Sequence, residues 1–309
     1  MEILQPALIT YPDSVLKIGY LNHSPLTKDA FSAINNFLMD RETLEIVDTI
    51  VTNNLLAGLW DAIKTSDLSY LDSISYMVSR RVDTLGKADM LAPSLRNTIF
   101  KHYQLDALVV MEYYFIKLAS SDPFMHGEIN GPVKEFALSA DIMWRVYLKS
   151  SPDPIDEYRY HDTLYYLDTY MPDKKFTMKS SDVLRTGMYD IGYSYGMRHT
   201  TAWYEVARVI YRGGQKALID AAELTDDGKW AEAAQIWFDF EDDINLRLAA
   251  KACNNLAVYY ELQDDIEQAL TYAEKAEKFW NSDIITSYVQ ELRIRKLNKE
   301  DIIKQYRYD

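Results

Sequence analysis

From Leu138 to Leu148 every second residue is apolar, whereas from Cys253 to Ala276 the apolar spacing is three to four. A strand turns successive side chains to opposite faces and a helix returns to one face every 3.6 residues, so this change of period divides the chain. The sequence predicts an α+β protein: a mixed α/β sheet domain over residues 1–180, then an all-helical domain over 181–309. The polar stretch Met171 to Ser180, which carries Pro172, marks the expected boundary.

In the first part, Leu16, Ile18 and Tyr20 alternate within Val15 to Asn22 and predict an opening strand. A helix is expected from Asn54, whose side chain can cap the free amides at a helix start, with Leu55, Leu56, Leu59, Trp60 and Ile63 on its stripe. Ile74, Tyr76, Val78 and Val82 suggest a second strand, and Pro93 suits the first turn of a second helix carrying Leu95, Ile99, Phe100 and Tyr103. Asp106 to Leu118 is apolar on both sides, the mark of a central strand. Leu138, Ala140, Ile142, Trp144, Val146 and Leu148 oppose Ser139, Asp141, Arg145 and Lys149 in a long strand with one wet face. Ser150 to Pro154 reads as a turn and Ile155 to Leu167 as the returning strand.

Beyond residue 180, one helix is expected to carry Leu184, Met188, Ile191 and Tyr195, and a second Trp203, Val206, Val209 and Ile210 up to Gly213-Gly214. Ala250 to Asn281 then reads as two helices around a turn at Gln263 to Asp265. Its small residues allow close approach, and its spacing matches a tetratricopeptide (TPR) repeat. An upstream copy, offset by 36 residues, aligns Gly228-Lys229-Trp230 with Asp264-Asp265-Ile266. The repeats span approximately 214–247 and 250–281. Such hairpins need neighbours to cover their faces, so helix 284–297 and helix 182–212 are expected to close the two ends.

Leu4-Gln5-Pro6-Ala7, the Trp203 to Gly213 segment with Arg208 and Tyr211-Arg212, Gly228-Lys229-Trp230 and Ala249 to Glu261 carry a wider likeness. On them the chain resembles a family of uncharacterised tetratricopeptide-containing lipoproteins of Bacteroides-like bacteria, described as a domain of unknown function. The front half is similar to the small α/β domain of several envelope accessory lipoproteins. The resemblance implies export to the periplasmic side of the cell envelope and a lipid anchor at a cysteine upstream of this sequence. Met1 to Thr10 lack the basic start and long apolar core of a secretory signal, and no apolar stretch is long enough to span a bilayer, so the sequence as written reads as soluble.

The formal charge is −14, from 47 acidic and 33 basic residues, which disfavours nucleic acid as a partner. The five histidines, His23, His102, His126, His161 and His199, stand singly, without the spacing that sets two ligands on one helix face. No metal, cofactor or catalytic residue is expected. Gly187, Gly192 and Gly196 sit in a helical pattern with no following lysine, which favours close packing over phosphate binding. Cys253, the one cysteine, lies on an apolar stripe. The acidic pairs Asp226-Asp227 and Asp264-Asp265 and the run Glu241 to Asp243 fall in turns or at helix ends, where carboxylates are solvated.

These features favour a non-enzymatic envelope protein that binds a protein or peptide. The expected surface is the concave repeat face: Lys251, Asn254, Asn255, Val258, Glu261 and Leu262. Two other readings are a glycan or small-molecule binder using the 24 tyrosines and other aromatics, and a hydrolase whose site is assembled only by the fold.

Overall fold

The computed structural model describes residues 1–25, 41–64, 73–78, 90–127, 129, 131–170 and 176–305. In chain order the elements begin β1 (Glu2–Gln5), β2 (Lys17–Asn22), α1 (Arg41–Lys64), β3 (Ser73–Val78), α2 (Pro93–Tyr103), β4 (Ala107–Ser120), β5 (Phe124–Met125), β6 (Pro132–Leu148), β7 (Pro154–Thr169) and α3 (Ser180–Gly196). They continue with β8 (Ala202–Glu205), α4 (Lys216–Asp226), α5 (Trp230–Phe238), α6 (Leu246–Leu262), α7 (Ile266–Phe279) and α8 (Asp283–Gln305). The fold is α+β. Residues Ala7–Thr200 form one compact unit; Met1–Pro6 and Thr201–Asp309 form the other.

In the first unit β2 lies between β3 and β4, parallel to both, and β4, β6 and β7 continue antiparallel, so a parallel half and a long meander share one sheet. The alternation anticipated in β6 holds, but the face expected to be wet is largely covered: Asp141 and Arg145 are buried in ion pairs and Tyr147 packs under α2. Leu138, Ile142, Trp144 and Val146 enter the main core with Ile18 and Tyr20 of β2, and α1 and α3 cover that face through Leu55, Leu59, Met188 and Ile191. On the opposite face Leu21, Leu108, Val110 and Tyr147 pack against Ile99 and Phe100 of α2.

β4 serves both layers by alternation and changes parity midway. Ala107, Val109 and Met111 face the main core; past a bulge at Glu112, Tyr114, Ile116 and Leu118 do. One extra residue flips every later side chain to the other face. The bulge residue has no exposed surface, and its carboxylate accepts hydrogen bonds from the Leu91 amide at 2.8 Å, the Tyr147 hydroxyl at 2.8 Å and the Arg145 guanidinium. It thereby ties the segment leading into α2 to the sheet.

α1 and α3 cross at glycines. A Cβ on Gly58 would enter the Tyr189 carbonyl and one on Gly192 the Leu55 carbonyl, so Gly192 serves helix approach, as its sequence context suggested. Beyond α3, a 3₁₀ turn, Met197–His199, buries His199. Tyr11 contacts its Nδ1 at 2.7 Å, and burial, then the Arg198 charge, pushes the imidazole down to about 3.

Several expectations are corrected. α1 begins at Arg41, not Asn54, because its stripe extends back through Val47, Ile50 and Val51; Asn54 sits mid-helix and donates to the Ile50 carbonyl at 2.7 Å. The boundary near residue 180 moves to Thr200, since α3 packs on α1 instead of closing the repeats. Trp203 to Ile210 is not helical. β8 pairs antiparallel with β1, and the chain then runs extended to Gly214, so the second unit is not all-helical and includes the first six residues. Cross-strand and side-chain partners satisfy that backbone, overriding the helical spacing. Val82 and residues 171–175 lie outside the described residues.

In the second unit α4–α5 and α6–α7 form successive helical hairpins, each helix packing on the next through to α8. Gly228 and Asp264, aligned in sequence, both take left-handed φ, 78° and 60°, at the two hairpin turns. Small residues set the α6–α7 distance: Ala257 packs with Ala269 and Ala273, and Ala250 and Cys253 with Ala276.

Removing the Glu112 carboxylate takes a buried acceptor from the Leu91 amide, the Tyr147 hydroxyl and the Arg145 guanidinium. Glu112→Ala is therefore expected to lower unfolding stability by about 3–5 kcal/mol in urea titration, and Glu112→Gln by less. His199 gives a pH signature. The unfolded chain protonates an imidazole near 6.5 while the folded one stays neutral to about 3, so stability is fully present above 6.5 and falls as pH drops through this window. The expected slope is at most about 1.4 kcal/mol per pH unit, and denaturation across pH should show it flattened in His199→Gln.

Candidate functional site

α6 is capped by Asn245, whose side chain accepts the Leu248 amide, and carries two stripes. Ala252 and Leu256 pack with α5, and Ala257 with α7. Residues 251, 254, 255, 258, 261 and 262, spaced to share another face, form the second stripe. The sequence set them on an exposed concave surface. The structure covers them: Asn254, Asn255, Val258 and Glu261 have 1% or less of their surface exposed, Lys251 is half-buried, and Leu262 alone is exposed.

What covers them is the chain's own extended segment, residues 206–213. Asn255 grips Tyr211 on both sides, its Oδ1 accepting the Tyr211 amide at 2.8 Å and its Nδ2 donating to the Tyr211 carbonyl at 2.9 Å. Asn254 Nδ2 donates to the Val209 carbonyl at 2.9 Å and Lys251 Nζ to the Gly213 carbonyl at 2.7 Å. The carbonyls of residues 209, 211 and 213 thus face α6, as alternate carbonyls of an extended strand do. Ile210 packs into the helical core beside Trp230, and Tyr211 lies 5.8 Å from Trp280.

Arg208 anchors the segment. Its Nε and Nη2 reach the two oxygens of Glu261 at 2.7 and 2.9 Å, and Nη1 reaches Glu291 at 2.7 Å. Arg295 and the Tyr288 hydroxyl add bonds to Glu261 at 2.7 and 2.9 Å. Burial alone would raise this carboxyl, but the hydrogen bonds and charge of Arg208, with Arg295 and Tyr288, hold it below the usual carboxylate range. Arg208 is held more firmly protonated, its desolvation offset by Glu261 and Glu291. Two clefts flank the segment: one of about 320 Å³ lined by Val209, Asn254, Ile284 and Glu291, and one of about 530 Å³ lined by Val206, Ile210, Trp230 and Leu262.

The sequence missed this occupant because it assigned residues 203–210 to a helix. The signal was present: Val206, Val209, Ile210 and Tyr211 favour extended backbone, and Gly213-Gly214 ends it, Gly214 at φ 124°.

The Cys253 thiol contacts the Glu241 carbonyl at 3.4 Å, and burial pushes it up to about 12. Lys275 pairs with Glu241 and Asp242, Arg212 with Asp226, and Lys299 with Asp264, while Asp265 caps α7 by accepting the Gln268 amide. His161 lies 3.6 Å from Asp141, which Arg159 holds through two bonds. Among the described residues no group of three metal-ligating side chains forms, and no helix is long and apolar enough to cross a membrane. Glu112 was not anticipated; a lone carboxylate within the apolar run from Ala107 to Ile116 was its one trace.

Comparison with known proteins places these two units. A search of curated proteins returns no match. Among solved structures, a neuraminyllactose-binding hemagglutinin homolog from Helicobacter pylori is similar over 58% of this chain and 81% of its own, at 8% identity and a TM-score of 0.31. A hypothetical protein, CT253, from Chlamydia trachomatis is similar over 59% of this chain and 96% of its own, at 7% identity and a TM-score of 0.24. Residues 219–294 match the family described as Domain of unknown function (DUF6340). Residues 15–211, more than half of the chain, match Domain of unknown function (DUF8603), and the protein belongs to that family.

Proposed function

We propose that the protein is a non-enzymatic, protein-binding or scaffolding module of the cell envelope, built on tetratricopeptide-type hairpins and held at the membrane through a lipid anchor. The observation that supports this reading is the grip of α6 on residues 206–213: buried amide side chains read the main chain of an extended segment, the contact by which a helical face holds a peptide. The hairpin spacing and the paired left-handed turns support the repeat assignment. The resemblance to Bacteroides-like lipoproteins is the basis for the envelope and the anchor.

Because the face is already filled, its own segment competes with any peptide at the high effective concentration of a tethered ligand. A partner therefore meets the outer side of the segment, where Ala207, Val209 and Arg212 are exposed, or displaces it.

Affinity capture by the intact chain from envelope extracts, run beside turnover assays on ester, phosphate and glycoside substrates, tests the reading. A saturable, stoichiometric protein partner supports it; absence of one, or turnover abolished by a single substitution, overturns it. The grip itself is measurable separately. Asn255→Ala leaves both polar groups of Tyr211 without their side-chain partner, and hydrogen exchange at the Tyr211 amide is expected to rise by about tenfold or more while unfolding stays cooperative.

A further inference from the structure

Asn254 and Asn255 are neighbours on α6, and only one of them is fully used. Asn255 meets Tyr211 with both Oδ1 and Nδ2, whereas Asn254 spends Nδ2 on the Val209 carbonyl and its Oδ1 takes no hydrogen bond from any described residue. Turning the Asn254 amide over would set its oxygen against that carbonyl, so the orientation is fixed and the spare group is an acceptor. Asn254 is 1% exposed, and a buried acceptor without a donor costs stability until a partner supplies one. The residue lines the cleft of about 320 Å³ that runs between the extended segment and α8.

The rest of the lining determines which donor fits. Val209 and Ile284, 48 and 51% exposed, give apolar surface. Asp283 and Glu291 stand about 12 Å apart along α8, so a group entering between them lies in the field of both. Glu291 holds Arg208 through one oxygen, and Asp283 forms no ion pair or side-chain hydrogen bond with any described residue. Arg208, the one guanidinium of the lining, is spent on Glu261 and Glu291, so the cleft is left negative. We propose that this cleft receives a lysine side chain of a protein partner, its methylene stem against Val209 and Ile284 and its ammonium donating to Asn254 Oδ1 between Asp283 and Glu291. An ammonium is a point donor on a flexible stem and suits a lone acceptor, whereas a guanidinium's planar fork is matched by a carboxylate that takes two bonds at once. The assignment rests on the protein-binding role proposed above and gives that partner its chemistry.

The net charge of −14 favours the same kind of partner, since a field of that sign draws in a basic surface and salt screens the attraction. Such a partner meets the extended segment from its outer side, so the bonds of Arg208 and Asn255 stay in place.

Titrating the intact chain with a blocked alanine pentapeptide carrying a central lysine, norleucine or arginine tests the site, followed by NMR of the Asn254 side-chain amide and the Ile284 methyl groups. The lysine peptide is expected to shift both signals saturably, and the norleucine peptide, with the same stem and no charge, to bind about tenfold more weakly. Asp283 and Ile284 are exposed, so their variants keep the fold, and circular dichroism checks this. Asp283→Asn is expected to weaken the lysine peptide about threefold, as added salt does in the unaltered chain, and Ile284→Lys, which sets an ammonium in the cleft from α8 itself, to abolish binding. An Asn254 signal that does not move, equal affinity for norleucine, tighter binding of the arginine peptide, or tighter binding of free butylamine than of the lysine peptide would each overturn the proposal. The two readings fail separately: a captured partner held equally by Ile284→Lys overturns the cleft and leaves the binding role, whereas absence of any partner overturns the binding role while the titration still reports on the cleft.

Discussion

Glu261 is a carboxylate with no exposed side-chain surface, and the second unit is arranged around keeping it ionised. An unpaired carboxylate there would protonate or unfold its surroundings. Arg208, Arg295 and Tyr288 prevent this, and they come from two places: the extended segment for Arg208, and α8 for the other two. One buried charge thus specifies where the segment lies and how α8 docks against α6. Asn254 and Asn255 extend the same logic about two turns earlier on the helix, since their buried amides donate to the segment's backbone. The segment and α6 complete each other: the first has no regular ladder beyond β8, and the second has a polar stripe that needs partners.

The sheet unit uses a buried carboxylate in a related way. Glu112 occupies the bulge that reverses the parity of β4, and its three donors come from the approach to α2 and from β6. Other acids do likewise at smaller scale. Asp106 accepts the amides of Leu16 and Lys17 at the start of β2, and Asp168 accepts the amide of Met178 after β7. Glu112, Glu261, Asp106 and Asp168 are thus spent on main-chain amides, tyrosine hydroxyls and arginines.

Much of this was legible from period alone. The alternation of β6, the proline that opens α2 and the small residues between α6 and α7 each express one local rule, and each fixed an element and its buried face. What was not legible depended on contacts distant in sequence. The start of α1 was missed because β-branched Ile46, Val47, Ile50 and Val51 have weak helix propensity, outweighed here by packing on the sheet. β8 and the segment after it carry apolar residues at both strand-like and helical spacings, and only β1 and α6, remote along the chain, decide between them. The α6 stripe was correctly assigned to one face, yet its exposure was misjudged, because burial depends on what lies opposite and periodicity reports only which side a residue takes.

That distinction bears on recognition. Side chains specialised for catalysis would stand apart from the scaffold, as groups whose polar atoms face a cavity and not the protein's own backbone. Here the polar side chains of α6 hold a main chain. Extended backbone is recognised by other extended backbone, with side-chain alternation supplying register. The grip of α6 on residues 206–213 uses this same main-chain recognition within the fold, with Asn255 reading both polar groups of Tyr211.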